Sequence, residues 1–144
     1  MHMSFQEKCL WLLFVSLIGI FGSYFAVVIP AKAVDVMPWH IGFFVALVVL
    51  LVVIQILGSI TLAIISKLSG SMDGRHDTDE RDRLIGLKST RNGSYVLAAG
   101  VFLSLSSALF TKGNFAFTHL LLGFWVLAQL VEIGSQLVLY RRGA

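Results

Sequence analysis

Charge is what this chain has least of. Only 19 of its 144 residues are Asp, Glu, Lys or Arg, or 13%, about half the share in a soluble domain. Of those 19, 11 lie between Lys67 and Arg91. The rest is long uncharged runs, in a chain with 57% hydrophobic residues and a mean hydropathy of +0.86. That pattern excludes an ordinary soluble domain and means an integral membrane protein. The length leaves no room for a separate soluble unit, so residues 1–144 form one domain. The single cysteine, Cys9, excludes an internal disulfide framework and reads as a small apolar residue. The only prolines are Pro30 and Pro38, so every other stretch is free to be helical. No Walker loop, G-x-S-x-G, H-E-x-x-H or C-x-x-C occurs. A nucleophile cannot be argued from scattered serines, and an enzyme has no positive support.

Four apolar runs remain. Residues 9–29 are uncharged and long enough to cross a hydrocarbon core. Ala31-Lys32-Ala33 imitates a signal-cleavage site, but the apolar run is too long for a signal peptide, so a retained helix is expected. Ser16, Gly19, Ser23 and Ala26 give that helix a small-residue face suited to close helix contact. Pro30 ends it, and Pro38 suits the first turn of a second helix over 39–68. Residues 69–93 are the polar segment, in which Asp77-x-x-Glu80 reads as a capping pair. No proline interrupts Thr78 to Phe110. Gly86, Gly93, Gly100 and Ser107 repeat every seven residues, which places them along one face of a continuous helix. One helix over 78–111 is therefore expected, starting in water and crossing the membrane over 94–111. Lys112-Gly113-Asn114 is a turn, and 115–140 is the fourth span. The expected fold is an all-α, up-down-up-down bundle of four transmembrane helices, with the third extended into the cytoplasm.

Short loops rich in Lys and Arg stay on the cytoplasmic side. One end collects Lys8, Lys67, Arg75, Arg81, Arg83, Lys88, Arg91, Arg141 and Arg142; the other has Lys32 and Lys112. Both termini and the central segment are thus expected in the cytoplasm, in a multi-pass protein of the bacterial inner membrane. This placement accounts for the positive charge without any nucleic acid.

Glu132 is the one carboxylate within the fourth span. It lies about 12 Å above Tyr140 by helical rise, and such a residue normally faces the protein interior. Gln129, Glu132 and Gln136 share a face. Counting in from the charged end puts Ser16, Ser59 and Phe102 level with Glu132, and Gln55 level with Gln129. A polar layer of Ser16, Ser59, Ser104 and Glu132, with Gln55 and Gln129 one turn further out, is geometrically allowed. The same count puts Arg91 roughly 16 Å from Glu132, too far to pair. Glu132 then reads as a proton or cation site, or as interhelical glue.

His40 and His119 lie toward the other end, on the second and fourth helices. Two histidines on neighbouring helices can hold a haem, but His119 counts about 7 Å deeper than His40. Asp73, His76, Asp77, Asp79, Glu80 and Asp82 miss the calcium-loop spacing, and interleaved Arg75, Arg81 and Arg83 compete for their carboxylates. No metal site is expected there.

Ser4-Phe5-Gln6-Glu7-Lys8, Asp79-Glu80-Arg81-Asp82-Arg83-Leu84-Ile85 and Leu139-Tyr140-Arg141-Arg142-Gly143 together resemble a group of small bacterial four-helix membrane proteins of unknown function. A D-E-R-D-x-x-I motif before the third helix marks that group. Gly86 stands where those relatives usually carry a polar residue. The resemblance implies a partnership with a helix-turn-helix regulator and no activity. The four-helix drug exporters are similar in size but carry a carboxylate in the first helix, which is uncharged here. Three functions stay open. The first is a non-enzymatic regulatory or interaction subunit presenting Asp79, Glu80, Arg81, Asp82 and Arg83, self-associated as a homodimer. The second is a small transporter or channel subunit using Glu132. The third is a haem or quinone redox protein using His40 and His119; no other cofactor is expected.

Overall fold

The computed structural model describes residues 5–68 and 78–142, with only the backbone of Ser66, Thr78 and Asp79. Four helices make up nearly all of it. These are α1 (Phe5–Val28), α2 (Pro38–Leu68), α3 (Thr78–Phe110) and α4 (Phe115–Arg142), with a 3-10 turn at Ile29–Ala31 after α1. All four are long and apolar enough to cross a membrane. The protein is a multi-pass, all-α membrane bundle. Asp73, Arg75, His76 and Asp77, with the Asp77 cap, lie outside the described residues.

The termini of the helices follow from local chemistry. Pro30 lacks the N–H that would continue α1, and the chain tightens into the 3-10 turn. Lys32 closes it in the left-handed region at φ 46°, its N–H bonding the Ile29 carbonyl at 3.3 Å. Pro38 opens α2, where a missing N–H costs nothing. At the same end the two short loops clasp one another. Val36 N–H donates to Asn114 Oδ1 at 2.8 Å, Asn114 N–H to Asp35 Oδ1 at 3.2 Å, and Phe115 N–H to the Val34 carbonyl at 3.1 Å. Gly113 must be glycine on two counts. Its φ is +78°, and a Cβ would meet the Val34 carbonyl oxygen.

Adjacent helices run antiparallel, and α1 and α4 form the centre. Leu17, Ile20 and Phe21 of α1 pack against Val126, Ile133 and Leu137 of α4. Phe44, Leu47, Val48, Leu51 and Ile54 of α2 lean onto that cluster, with Gly58 receiving the Leu12 side chain. α3 packs along α4. Gly93 and Gly100 are the points of closest approach, where a Cβ would meet the Ala128 carbonyl at 3.0 Å and the Phe124 side chain respectively. Among the described residues no Cα of α2 comes within 8 Å of one in α3, so the ring of helices is open on that side. α2 is outermost: Val45, Val49, Val52, Ile56, Ile60 and Ile64 are all about half exposed. Such a stripe would be costly in water and fits contact with lipid.

Most hydroxyls are satisfied within their own helix. Ser16, Ser23, Thr61, Ser89, Ser94, Ser104, Ser106 and Thr111 each donate to the carbonyl four residues earlier, at 2.6–2.8 Å. This back-bonding makes a serine tolerable in hydrocarbon without a partner helix.

The seven-residue repeat divides in two. Gly93 and Gly100 lie in the α3–α4 contact, whereas Gly86 meets nothing within 4 Å and Ser107 bonds the Ser104 carbonyl. Gly100→Leu is therefore expected to force α3 off α4 and destabilise the protein by about 1–3 kcal/mol. Gly86→Ala should be neutral or stabilise by up to about 1 kcal/mol through helix propensity. Thermal unfolding in detergent micelles checks both; equal tolerance of the two changes would contradict the packing.

Candidate functional site

Among the described residues, contacts between α1, α3 and α4 hold the charged end, and the sequence alone pairs none of them. Tyr140 of α4 donates its hydroxyl to Gln6 Oε1 of α1 at 2.7 Å. Arg141 Nε reaches Glu7 Oε1 at 3.3 Å, with its guanidinium 5.7 Å from the centre of the Trp11 ring. Arg81 donates to the Tyr140 carbonyl at 3.3 Å, one of the unpaired acceptors at the C-terminal end of α4. Thus Arg81 of the D-E-R-D motif, though exposed, leans on the end of α4. Asp82 lines a cavity of about 440 Å³ with Gln6, Cys9, Leu10, Leu13, Gln55, Gln136 and Tyr140. Glu80 and Arg83 are exposed and border a shallow surface recess with Leu84 and Leu87. The side chain of Asp79 lies outside the described residues. The backbone runs unbroken from Thr78 through the motif to Phe110.

Glu132 is placed differently from the sequence expectation. Its Oε1 accepts from Thr90 Oγ1 at 2.8 Å, and its side chain lies over Gly93, where a Cβ would meet Glu132 Cβ at 3.1 Å. Beside it, Asn92 Nδ2 donates to Ser135 Oγ at 3.2 Å. Glu132 is therefore level with Thr90 and Arg91, not with Phe102 or Ser104. The offset is 12 residues, roughly 18 Å along α3. Counting from the hydropathy boundary at Ser94 failed because the polar half of α3 packs along α4 instead of standing clear of it.

A hydrocarbon core of roughly 30 Å takes about 20 helical residues. Counted from Phe110 and Phe115, that length ends near Thr90 on α3 and Ser135 on α4. Glu132 then lies within one turn of the boundary, where a carboxylate is cheaper than at mid-membrane. The polar layer forms only in part. Gln55 Nε2 donates to Ser16 Oγ at 2.6 Å, joining α2 to α1. Gln136 faces the cavity and Gln129 is half-buried. Ser59 is exposed and bonds the Ile56 carbonyl of its own helix. Ser104 is buried and bonds the Gly100 carbonyl.

His40 and His119 do converge, their rings 5.9 Å apart. The rise count set them about 7 Å apart in depth, but the interlocked loops bring the two helix starts to one level. Their nitrogens are taken, however. His119 Nδ1 lies 2.8 Å from the Phe115 carbonyl, which can only accept, so Nδ1 carries the proton. His119 Nε2 then accepts from the Tyr24 hydroxyl at 3.0 Å. His40 Nδ1 accepts from Met37 N–H at 2.9 Å, leaving the proton on Nε2, which is buried with no hydrogen-bond partner among the described residues. No lone pair is free for an iron. Tyr24, Trp39 and Phe115 pack around the pair, so a bis-histidine haem would need both hydrogen bonds and the packing undone. Among the described residues no group of three or more His, Cys, Asp or Glu side chains could hold a metal. Tyr24 lies six residues before Pro30 and His119 four after Phe115, so counting inward from the loops would have paired them.

No family model, characterised protein or solved structure is significantly similar to the chain. The arrangement itself carries the functional argument.

Glu132→Gln keeps an acceptor for Thr90 and is expected to change thermal stability by less than about 0.5 kcal/mol, whereas Thr90→Val removes the donor and should cost about 0.6 kcal/mol. If Glu132→Gln instead leaves the fold intact while abolishing a pH-dependent ion flux in liposomes, Glu132 is a proton site and not a strut.

Proposed function

We propose that this chain is a non-enzymatic interaction subunit of the bacterial inner membrane, and that α3 presents a charged surface to the cytoplasm. The observation that carries the reading is the unbroken helix from Thr78 to Phe110. Within its first turns, Arg81 is tied to the end of α4, while Glu80 and Arg83 face outward beside Leu84 and Leu87. A force or partner acting on that outward face is coupled through rigid backbone to the membrane-embedded half. The nine-to-two division of Lys and Arg between the two ends supports a cytoplasmic location for this face and for both termini. The nearly balanced signs of Asp79 to Arg83 fit a protein surface better than anionic lipid, which calls for clustered cations. The partner is a second copy of the chain or a cytoplasmic protein; the D-E-R-D resemblance points to a helix-turn-helix regulator.

Arg81 and Arg83 separate binding from stability. Arg83→Glu is expected to release a co-purifying protein or dissociate the dimer while the four spans stay inserted and the melting temperature holds. Arg81→Gln should cost about 0.3–1 kcal/mol by uncapping α4 without a comparable loss of partner. Affinity purification and crosslinking from membranes read the first, and thermal unfolding the second. A dimer and partner set unchanged by Arg83→Glu would remove the interaction reading. A reporter fused after Ala144 that works only outside the cytoplasm would invert the topology.

A further inference from the structure

On the outer flank of the α3–α4 contact, away from Glu132, lies a cavity of about 560 Å³. Lys88 and Arg91 border it on α3. Asn92 and Ser135, already joined by a hydrogen bond, form its polar floor. Val131 and Val138 of α4 form an apolar wall. We propose that this groove binds one anionic phospholipid, its phosphate held between Lys88 and Arg91 and one acyl chain laid along α4.

Four observations converge on that ligand. The first is the donor set: an ammonium, a guanidinium and the Ser135 hydroxyl, whose proton is not used by the bond it accepts from Asn92. The lining includes no carboxylate, so the chemistry selects an anion. Secondly, neither cation has a carboxylate partner among the described residues, where the ion pair is Arg141–Glu7. Thr90 and its acceptor Glu132 lie across the seam, Thr90 being two residues and about 200° around α3 from Lys88. Thirdly, the depth is right. A roughly 30 Å core counted from the opposite end terminates at Thr90 and Ser135, which sets Lys88 and Arg91 at headgroup level. Fourthly, the wall is apolar where a chain would run and polar where the phosphate would sit. A soluble phosphate uses only the second of those features; a lipid uses both. Basic pockets between membrane helices recognise lipid phosphates by this division.

The groove differs in kind from the exposed motif face. Its cations are clustered and, among the described residues, without an ion partner, whereas Glu80 to Arg83 alternate in sign. The lipid assignment rests on the membrane reading and not on the interaction proposal. It survives if Arg83→Glu proves silent.

The test is native mass spectrometry and thermal unfolding of the full chain in detergent, titrated with dioleoylphosphatidylglycerol, with dioleoylphosphatidylcholine, and with inorganic phosphate. One phosphatidylglycerol per chain should be retained and should raise the melting temperature, while phosphatidylcholine of the same chain length does neither. Each cation near an anionic headgroup contributes about a factor of five, so Lys88→Gln with Arg91→Gln should weaken retention about thirty-fold. Lys67→Gln with Arg142→Gln, which removes two cations at the same end but outside the groove, should leave retention within about two-fold. Circular dichroism and gel filtration establish that both double variants are folded. Single changes, Lys88→Gln and Arg91→Gln, serve should the double variant misfold, each expected to lose about five-fold. Equal retention of the two lipids, or equal loss in the two double variants, would overturn the site. Protection by inorganic phosphate without lipid retention would overturn the lipid assignment.

Discussion

The contact between α3 and α4 is the constraint on which the rest of the molecule depends. α3 carries the densest charge in the chain, yet it lies against the apolar fourth helix along most of its length. Two glycines allow it: at Gly93 and Gly100 the missing Cβ lets the Ala128 carbonyl and the Phe124 side chain come close. The polar side chains beside those points are then consumed across the seam, Thr90 by Glu132 and Asn92 by Ser135. With the register set, Arg81 falls against the last carbonyls of α4, and Lys88 with Arg91 falls at the edge of the hydrocarbon. The charged surface and the lipid groove are both consequences of one helix pair locked in one register.

The remaining helices are held with less polar chemistry. α1 joins α4 through a leucine, isoleucine and phenylalanine core and is pinned at both ends, by Gln6 and Glu7 at one and by Tyr24 to His119 at the other. α2 is tied to α1 by the Gln55 to Ser16 bond, packs Phe44, Leu47, Val48, Leu51 and Ile54 on the core, and offers branched aliphatic residues to lipid on its other face. Because hydroxyls back-bond to their own helices, the bilayer imposes little demand for a buried polar network. The loop clasp around Gly113 closes the far end without any charge pair buried in the membrane.

Helix identity was legible because proline, glycine and apolar length mark it directly. The third helix was expected over 78–111 and runs Thr78–Phe110; the second was expected over 39–68 and runs Pro38–Leu68. The long third helix in particular followed from an absence of breakers. Depth was not legible. Hydropathy places a boundary where the residues turn apolar, but α3 turns apolar well inside the level at which α4 does. Ser94, where α3 turns apolar, lies near the level of Ala128, well inside the fourth span. That depth takes Ser104 away from the level of Glu132 and brings Arg91 to it, while Ser59 leaves the expected layer because it faces outward on α2. The histidines converged for a related reason: a residue count along two helices assumes equal starting heights, and the clasped loops set those heights. The sites that matter most, Thr90 against Glu132 and Lys88 with Arg91 beside Ser135, are visible only once the register is known.

That register can be measured by disulfide crosslinking in native membranes. In a Cys9→Ser background, cysteines at Asn92 and Ser135 should crosslink rapidly, since those side chains are in hydrogen-bond contact. Cysteines at Phe102 and Glu132, the pair that hydropathy alone would set level, should not crosslink. Efficient linkage of the second pair with none of the first would contradict the docking of the polar half of α3 along α4.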